Sequence, residues 1–228
     1  MRVTIVVFAY NEKENLAAVT EEIWNQLGGL NLAFELLIID DGSLDDTLHI
    51  ADSLARDLPG VRVVHHRENL GLGGVYRTGF KEAQGRFVSF FPADGQFPAT
   101  IIAQFLPLMD DADLVLGYLP NRDSNLLAKG LSLGERLLYR ALFGSFPRFQ
   151  GILMFRRSLL DGMTLTSEGR GWAVLMEFII RVSKGGYRVS SVPTTMRPRL
   201  SGKSKVNNIR TIASNLMQVL ALRKSLTV

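Results

Sequence analysis

Five short apolar runs, separated by stretches with helical spacing, most limit how this chain can fold. They are Val3–Phe8, Phe34–Ile39, Val61–His65, Phe87–Phe91 and Leu114–Leu116. A strand that is apolar on both faces needs cover on both, as the strands of a parallel sheet do. Between the runs lie helical patterns. One spans Glu14 to Leu27 and closes at Gly28-Gly29, and the next spans Asp45 to Leu58 and closes at Pro59-Gly60. A third follows the glycine-rich turn Asn69–Gly74, and a fourth is Pro98–Met109 with its proline near the first turn. A fifth is expected over 172–184. The pattern predicts an α/β fold with a mostly parallel central sheet and helices on both faces. No internal repeat or linker interrupts it.

Composition narrows the chemistry. The 228 residues are 46% hydrophobic and 21% charged, as in an ordinary globular chain. There is no cysteine, which excludes disulfides, thiol nucleophiles, cysteinyl zinc and iron–sulfur clusters. His49, His65 and His66 are the only histidines, too few for a His-based metal site. The MRVTIVVFAYNE start turns polar too soon for a signal peptide, and no apolar stretch of about 18 residues occurs, so a cytoplasmic protein is expected. Charge is uneven. Residues 181–228 hold ten basic and no acidic residues, leaving 16 basic against 22 acidic in the first 180. A basic tail on an acidic body suits an anionic partner, or it is a solvated helix. Tyr187 is the only aromatic after Phe178, which leaves nucleic acid without stacking residues there.

Polar clusters follow three of the strands: Tyr10-Asn11-Glu12, Asp40-Asp41-Gly42-Ser43 and Asp94-Gly95-Gln96. Such residues also simply make turns. In an open α/β sheet, however, ligands bind at the carboxyl ends of strands, so three clusters there are expected to share one crevice. Two nucleotide fingerprints fail. The run from Gly71 lacks the third glycine of GxGxxG, where Tyr76 stands. Gly202-Lys203-Ser204 lacks the Walker glycine, where Arg197 stands.

In order, FAYNE (8–12), DDGSLDDT (40–47), RENLGLGGVYRTGF (67–80), PADGQFP (92–98) and RLSGKSK (199–205) resemble the family 2 glycosyltransferases of the GT-A fold. The nearest subgroup is the dolichyl- and polyprenyl-phosphate sugar synthases. The resemblance covers roughly residues 1–210. It implies a glycosyltransferase domain over 1–205 and a nucleotide-sugar donor, UDP- or GDP-linked. Ala9, Tyr10 and Glu12 would line the nucleoside pocket, Asp40 would contact the base, and Asp41 would support that turn or reach the ribose. Gly71, Gly73 and Gly74 would let backbone approach the ligand, at a helix N-terminus that favours negative charge. The family's Asp-x-Asp segment binds Mg²⁺ or Mn²⁺. Here Pro92 replaces the first aspartate, while Asp94 and Gln96 match the second and a following ligand, a weakened site. Arg199, Ser201, Ser204 and Lys205 match a loop that closes over phosphates. Arg122 matches a phosphate-contacting arginine, or is solvated.

The acceptor side departs from the pattern. Leu119 stands where relatives often carry arginine, and no carboxylate occurs between Glu135 and Asp161. A hydroxyl acceptor would want a general base there, whereas a lipid phosphate is already anionic. Glu177 matches a family glutamate or forms a surface pair with Arg181. Residues 206–228 read as an amphipathic helix, lying on an anionic membrane surface or packed on the domain. Two classes of function stay open. One is an inverting transfer to polyprenyl or dolichyl phosphate, or to a polysaccharide or glycolipid hydroxyl. The other is non-catalytic nucleotide-sugar binding on the same fold.

Overall fold

The structure is a computed structural model and describes residues 2–30, 32–120, 144 and 147–200. Its elements run β1 (Arg2–Ala9), α1 (Leu16–Gly29), β2 (Ala33–Asp40), α2 (Thr47–Asp57), β3 (Val61–His65), α3 (Gly71–Glu82) and β4 (Phe87–Pro92). There follow α4 (Thr100–Phe105), a 3₁₀ turn (Leu106–Asp110), β5 (Leu114–Tyr118), β6 (Leu153–Arg156), α5 (Ala173–Lys184) and β7 (Val189–Pro193). The strands form one sheet in the order β3-β2-β1-β4-β6-β5-β7. Strand β6 is antiparallel to β4 and β5, and the other neighbours are parallel. The expected mostly parallel sheet is present.

The apolar runs explain the layering. Along β1, Val3, Ile5 and Val7 join one core with Leu16, Ile23 and Leu27 of α1 and Ile102 and Phe105 of α4. Val6 points the other way, with Leu37 and Ile39, toward α3 and α5. Successive residues of a strand face opposite sides, so a run without polar interruption fills both layers. The second layer is aromatic: Tyr76, Phe80, Phe90, Phe155 and Phe178 meet at ring separations of 4.7–5.7 Å.

Three features differ from the sequence reading. The single helix expected over 98–109 is a short α4 followed by a 3₁₀ turn. Pro107 sits in that turn and lacks the N–H an α-helix would need there. Strands β6 and β7 were not anticipated. Strand β6 has only four residues, and β7 carries Ser190 and Ser191 at a half-buried sheet edge. Glycine-rich residues 71–74 lie inside the first turn of α3 rather than before it. The expected helix over 206–228 lies outside the described residues. Among the described residues, no helix is long and apolar enough to cross a membrane.

Candidate active site

The ends of β1 and β2 are stitched together. Asn11 adopts a left-handed conformation (φ 51°), which asparagine tolerates better than most residues. Its N–H donates to Ser43 Oγ (2.9 Å), and its Oδ1 accepts the Leu44 N–H (2.7 Å). The Glu12 N–H donates to Thr47 Oγ1 (2.9 Å). The Glu12 carbonyl accepts the N–H groups of Asn15 and Leu16 and so starts α1. The Ala9 carbonyl accepts the Asp41 N–H at 2.9 Å. An open cleft of about 520 Å³ lies between these loops and the end of β3, lined by Tyr10, Asp40, Gly42, Ser43, Leu44, His65 and their neighbours.

Two consecutive aspartates meet two consecutive histidines. Asp40 is fully buried, and its Oδ1 accepts the Ser43 N–H (3.2 Å). Its Oδ2 lies 3.1 Å from His65 Nδ1, and His65 Nε2 lies 3.0 Å from Asp52 Oδ1. Burial works against a charge on His65, but the Asp52 and Asp40 carboxylates outweigh it and raise its pKa above 6.5. His66 Nδ1 lies 2.7 Å from Asp41 Oδ1, and its Nε2 lies 2.8 Å from Thr78 Oγ1. The sequence reading missed both histidines as site residues. The parallel register that sets Asp40 opposite His65 is the signal that would have found them.

The Asp41 side chain turns to His66 and the start of α3. Besides His66 it accepts the N–H groups of Leu70 and Gly71 (2.9 Å each) and Asn69 Nδ2 (3.0 Å). It therefore caps α3 from another strand. The Gly73 N–H donates to the Arg170 carbonyl at 2.9 Å. Protein acceptors thus take the N–H groups of Leu70, Gly71 and Gly73 at this N-terminus. The glycines also lie against backbone. A Cβ on Gly71 would stand 2.5 Å from the Arg170 carbonyl oxygen, and one on Gly73 would stand 1.9 Å from that of Gly169. The chain that crosses them is 169–171. Gly73→Ala is expected to destabilise the protein by roughly 1–3 kcal/mol in urea unfolding, because backbone must move. Gly28→Ala, in the last turn of α1 and with nothing within 4 Å, serves as the control and should leave stability unchanged or raise it by up to about 1 kcal/mol.

Asp94 follows β4, and the segment 197–200 lies along it. The Leu200 N–H donates to the Asp94 carbonyl (3.3 Å), and the Arg197 N–H donates to that of Gln96 (2.8 Å). Asp94 Oδ1 accepts the Gln96 N–H at 3.1 Å. Arg199 Nη2 donates to Asp94 Oδ2 at 2.7 Å, and Nη1 reaches Glu12 Oε1 at 3.5 Å. One guanidinium thus ties the loop after β1 to the loop after β4. Asp94 and the Gln96 side chain are hard oxygen donors. Donors of that type suit Mg²⁺ or Mn²⁺, and here both Asp94 oxygens also meet protein donors, the Gln96 N–H and Arg199. Among the described residues, no group of three or more His, Asp or Glu side chains is placed to hold a metal unaided.

The family model described as Glycosyl transferase family 2 matches residues 4–164, well over half of the chain. The chain belongs to that family. It is 30% identical over 235 residues to the dolichol-phosphate mannosyltransferase of Pyrococcus furiosus, covering 98% of this chain and 64% of the relative. It is 29% identical to the polyprenol monophosphomannose synthase of Mycolicibacterium smegmatis, over 92% of this chain and 83% of that one. The chain thus spans less than two-thirds of the length of the Pyrococcus relative. Among solved structures it resembles glucosyl-3-phosphoglycerate synthase from Mycobacterium tuberculosis, crystallised with Mn²⁺, uridine diphosphate and glucosyl-3-phosphoglycerate. There the TM-score is 0.65 at 22% identity, covering 95% of this chain and 79% of that one. At that identity the likeness speaks for the GT-A fold.

In this family 2 domain, Glu177 is not the surface residue that a simple pair with Arg181 would make it. It does pair with Arg181 (2.8 Å), but it is fully buried. It also accepts the N–H groups of Thr166 (3.0 Å) and Ser167 (2.8 Å) and the Thr166 hydroxyl (3.1 Å). Burial would raise its pKa, but these donors outweigh burial and hold it below 4.5. Glu177 thereby anchors the loop that crosses Gly71 and Gly73. Arg77 donates to the Ser167 and Gly169 carbonyls of the same loop, and Arg170 donates to Asn69 Oδ1 (2.7 Å). At Leu119 the backbone N–H donates to Gln150 Oε1 (3.1 Å). Arg122, Ser201, Ser204 and Lys205 lie outside the described residues.

Proposed function

We propose that this family 2 glycosyltransferase moves a sugar from a UDP- or GDP-linked donor to polyprenyl or dolichyl phosphate, with inversion. The observation that carries the reading is the Arg199 guanidinium between Glu12 and Asp94, in the loops after β1 and β4, at the end of the sheet where an open cleft lies beside the carboxyl ends of β1, β2 and β3. The nucleoside sits in that cleft, against Tyr10, Asp40 and the Gly42-Ser43 turn, with Ala9 buried in the core behind it. The diphosphate extends toward Asp94. The acceptor oxygen attacks the anomeric carbon in line, and the nucleoside diphosphate leaves. Arg199, positioned by Glu12 and Asp94, would offer guanidinium N–H donors where negative charge develops on the leaving group, and preorganised donors there lower the barrier. A Mg²⁺ or Mn²⁺ ion, held by Asp94 and Gln96, would neutralise diphosphate charge when bound. Ser201, Ser204, Lys205 and Arg122 would add phosphate contacts.

A phosphate acceptor is supported by chemistry and by relatives. No carboxylate lies between Glu135 and Asp161 to serve as a base, and a phosphate monoester needs none. Two relatives are named for polyprenol or dolichol phosphate. The domain would then work at the cytoplasmic membrane face, with the basic 181–228 segment toward anionic headgroups. Pro92 at the family's first aspartate favours a second reading, nucleotide-sugar binding without turnover.

The test is a transfer assay with UDP- and GDP-sugars and polyprenyl phosphate in detergent, with Mg²⁺, Mn²⁺ or EDTA. Transfer from one donor class, reduced by EDTA, is the expected result. Binding of a donor without turnover on phosphate or hydroxyl acceptors would establish the second reading.

A further inference from the structure

We propose that His65 is a proton-coupled gate on the nucleoside cleft: nucleotide binding draws the imidazole away from Asp40 and releases a proton. The inference rests on the donor reading above and adds a residue that the family motifs do not include.

The Asp40 carboxylate is sealed. Its residue is 0% exposed, with one oxygen on the Ser43 N–H and the other against His65. The His65 side chain lines the cleft and is 29% exposed. Each oxygen keeps a further lone pair, but no part of the residue is open, so a base N–H that is to reach Asp40 needs a covering group to move. Ser43 donates from the backbone of a turn that is itself tied to Asn11. His65 donates from a side chain that can swing, so His65 yields.

The proton follows from the contacts. Both ring nitrogens of His65 face carboxylate oxygens, at 3.1 Å and 3.0 Å. Only the imidazolium donates from both nitrogens, whereas the neutral ring turns a lone pair toward one carboxylate. The free cleft thus favours the charged ring. Asp40 from β2 and Asp52 from α2 both raise the His65 pKa, against burial. Around the same cleft lie Arg67 and Glu68, of opposite sign, Tyr10, and His66, which is engaged by Asp41. Once the ring leaves Asp40, it keeps only Asp52. That side chain is 45% exposed, and such a pair is screened by water and holds a proton weakly. The pKa falls toward 6.5, and between the two values the ring gives a proton to solvent.

The experiment titrates the histidine side chains by NMR with and without saturating UDP or GDP. It is paired with calorimetry in two buffers of different ionisation enthalpy. The expected result is a lower His65 pKa in the bound state and release of up to about one proton per nucleotide between the free and bound values. His65→Gln should abolish the release. Asp52→Asn, on an exposed side chain, should lower the free His65 pKa and move the release to lower pH. A His65 pKa that is the same with and without bound nucleotide overturns the gate while leaving the donor site intact. So does a proton release that survives in His65→Gln. Failure of both nucleotides to bind wild-type protein overturns the donor reading and the gate with it.

Discussion

Asp94→Asn is expected to cut sugar transfer by about 10²–10³-fold, the usual scale for losing a preorganised electrostatic contact at the leaving group. Asparagine keeps an oxygen for the Gln96 N–H, so the turn after β4 survives. What disappears is the charge. Among the described residues, Arg199 then keeps only the longer contact to Glu12, and a cation bound as proposed would lose its carboxylate ligand. The loss should fall mainly on kcat, because the nucleoside cleft is built from other loops. Arg199→Lys should be impaired too, since a single ammonium cannot reach two carboxylates as a guanidinium fork does. Single-turnover transfer, with thermal melts to show intact folding, measures both. Undiminished transfer in Asp94→Asn would remove this residue from the mechanism.

Glu177→Ala is expected to cost about 3 kcal/mol, the low end for breaking a buried ion pair, since the Arg181 side chain is 29% exposed and regains some water. The N–H groups of Thr166 and Ser167 lose their acceptor as well. For a chain of this size, that loss corresponds to a fall in Tm on the order of 6–12 °C. The pH dependence has a definite sign. The folded pKa of Glu177 is depressed, so its contribution is fully present above the unfolded value near 4.5 and is lost as pH falls through the folded value. Wild type should therefore lose more stability than Glu177→Gln when acidified from pH 5 to pH 3. Parallel acid profiles would show that the charge contributes nothing. Because the loop held by Glu177 crosses Gly71 and Gly73, the alanine variant should also loosen the start of α3. Faster amide exchange at residues 70–73 would report it.

Asp40 and Asp41 show how far a sequence reading reaches. Their place after an apolar run put both at the carboxyl end of a strand, and the structure agrees. Adjacent residues of a strand end nevertheless point in different directions. Asp40 turns to His65 and Ser43, while Asp41 turns to the backbone of α3. No local pattern separates them, because both sets of partners come from other elements. The glycines of α3 teach the same lesson. Their occurrence was plain, but the object crowding them is backbone from residues about one hundred positions later.

Strand runs, helical spacing and the polar clusters after strands were legible because each arises within a few residues, from side-chain periodicity and turn chemistry. They determined the layered α/β fold, and the five motifs in order pointed to family 2. The tertiary structure alone decided which charges meet. Arg199 reaches Asp94 across 105 residues, and His65 reaches Asp40 across 25. Those pairings depend on strand order and register, which bring distant loops to one end of the sheet. Burial of the partners then sets their protonation, and burial is a property of the packed whole.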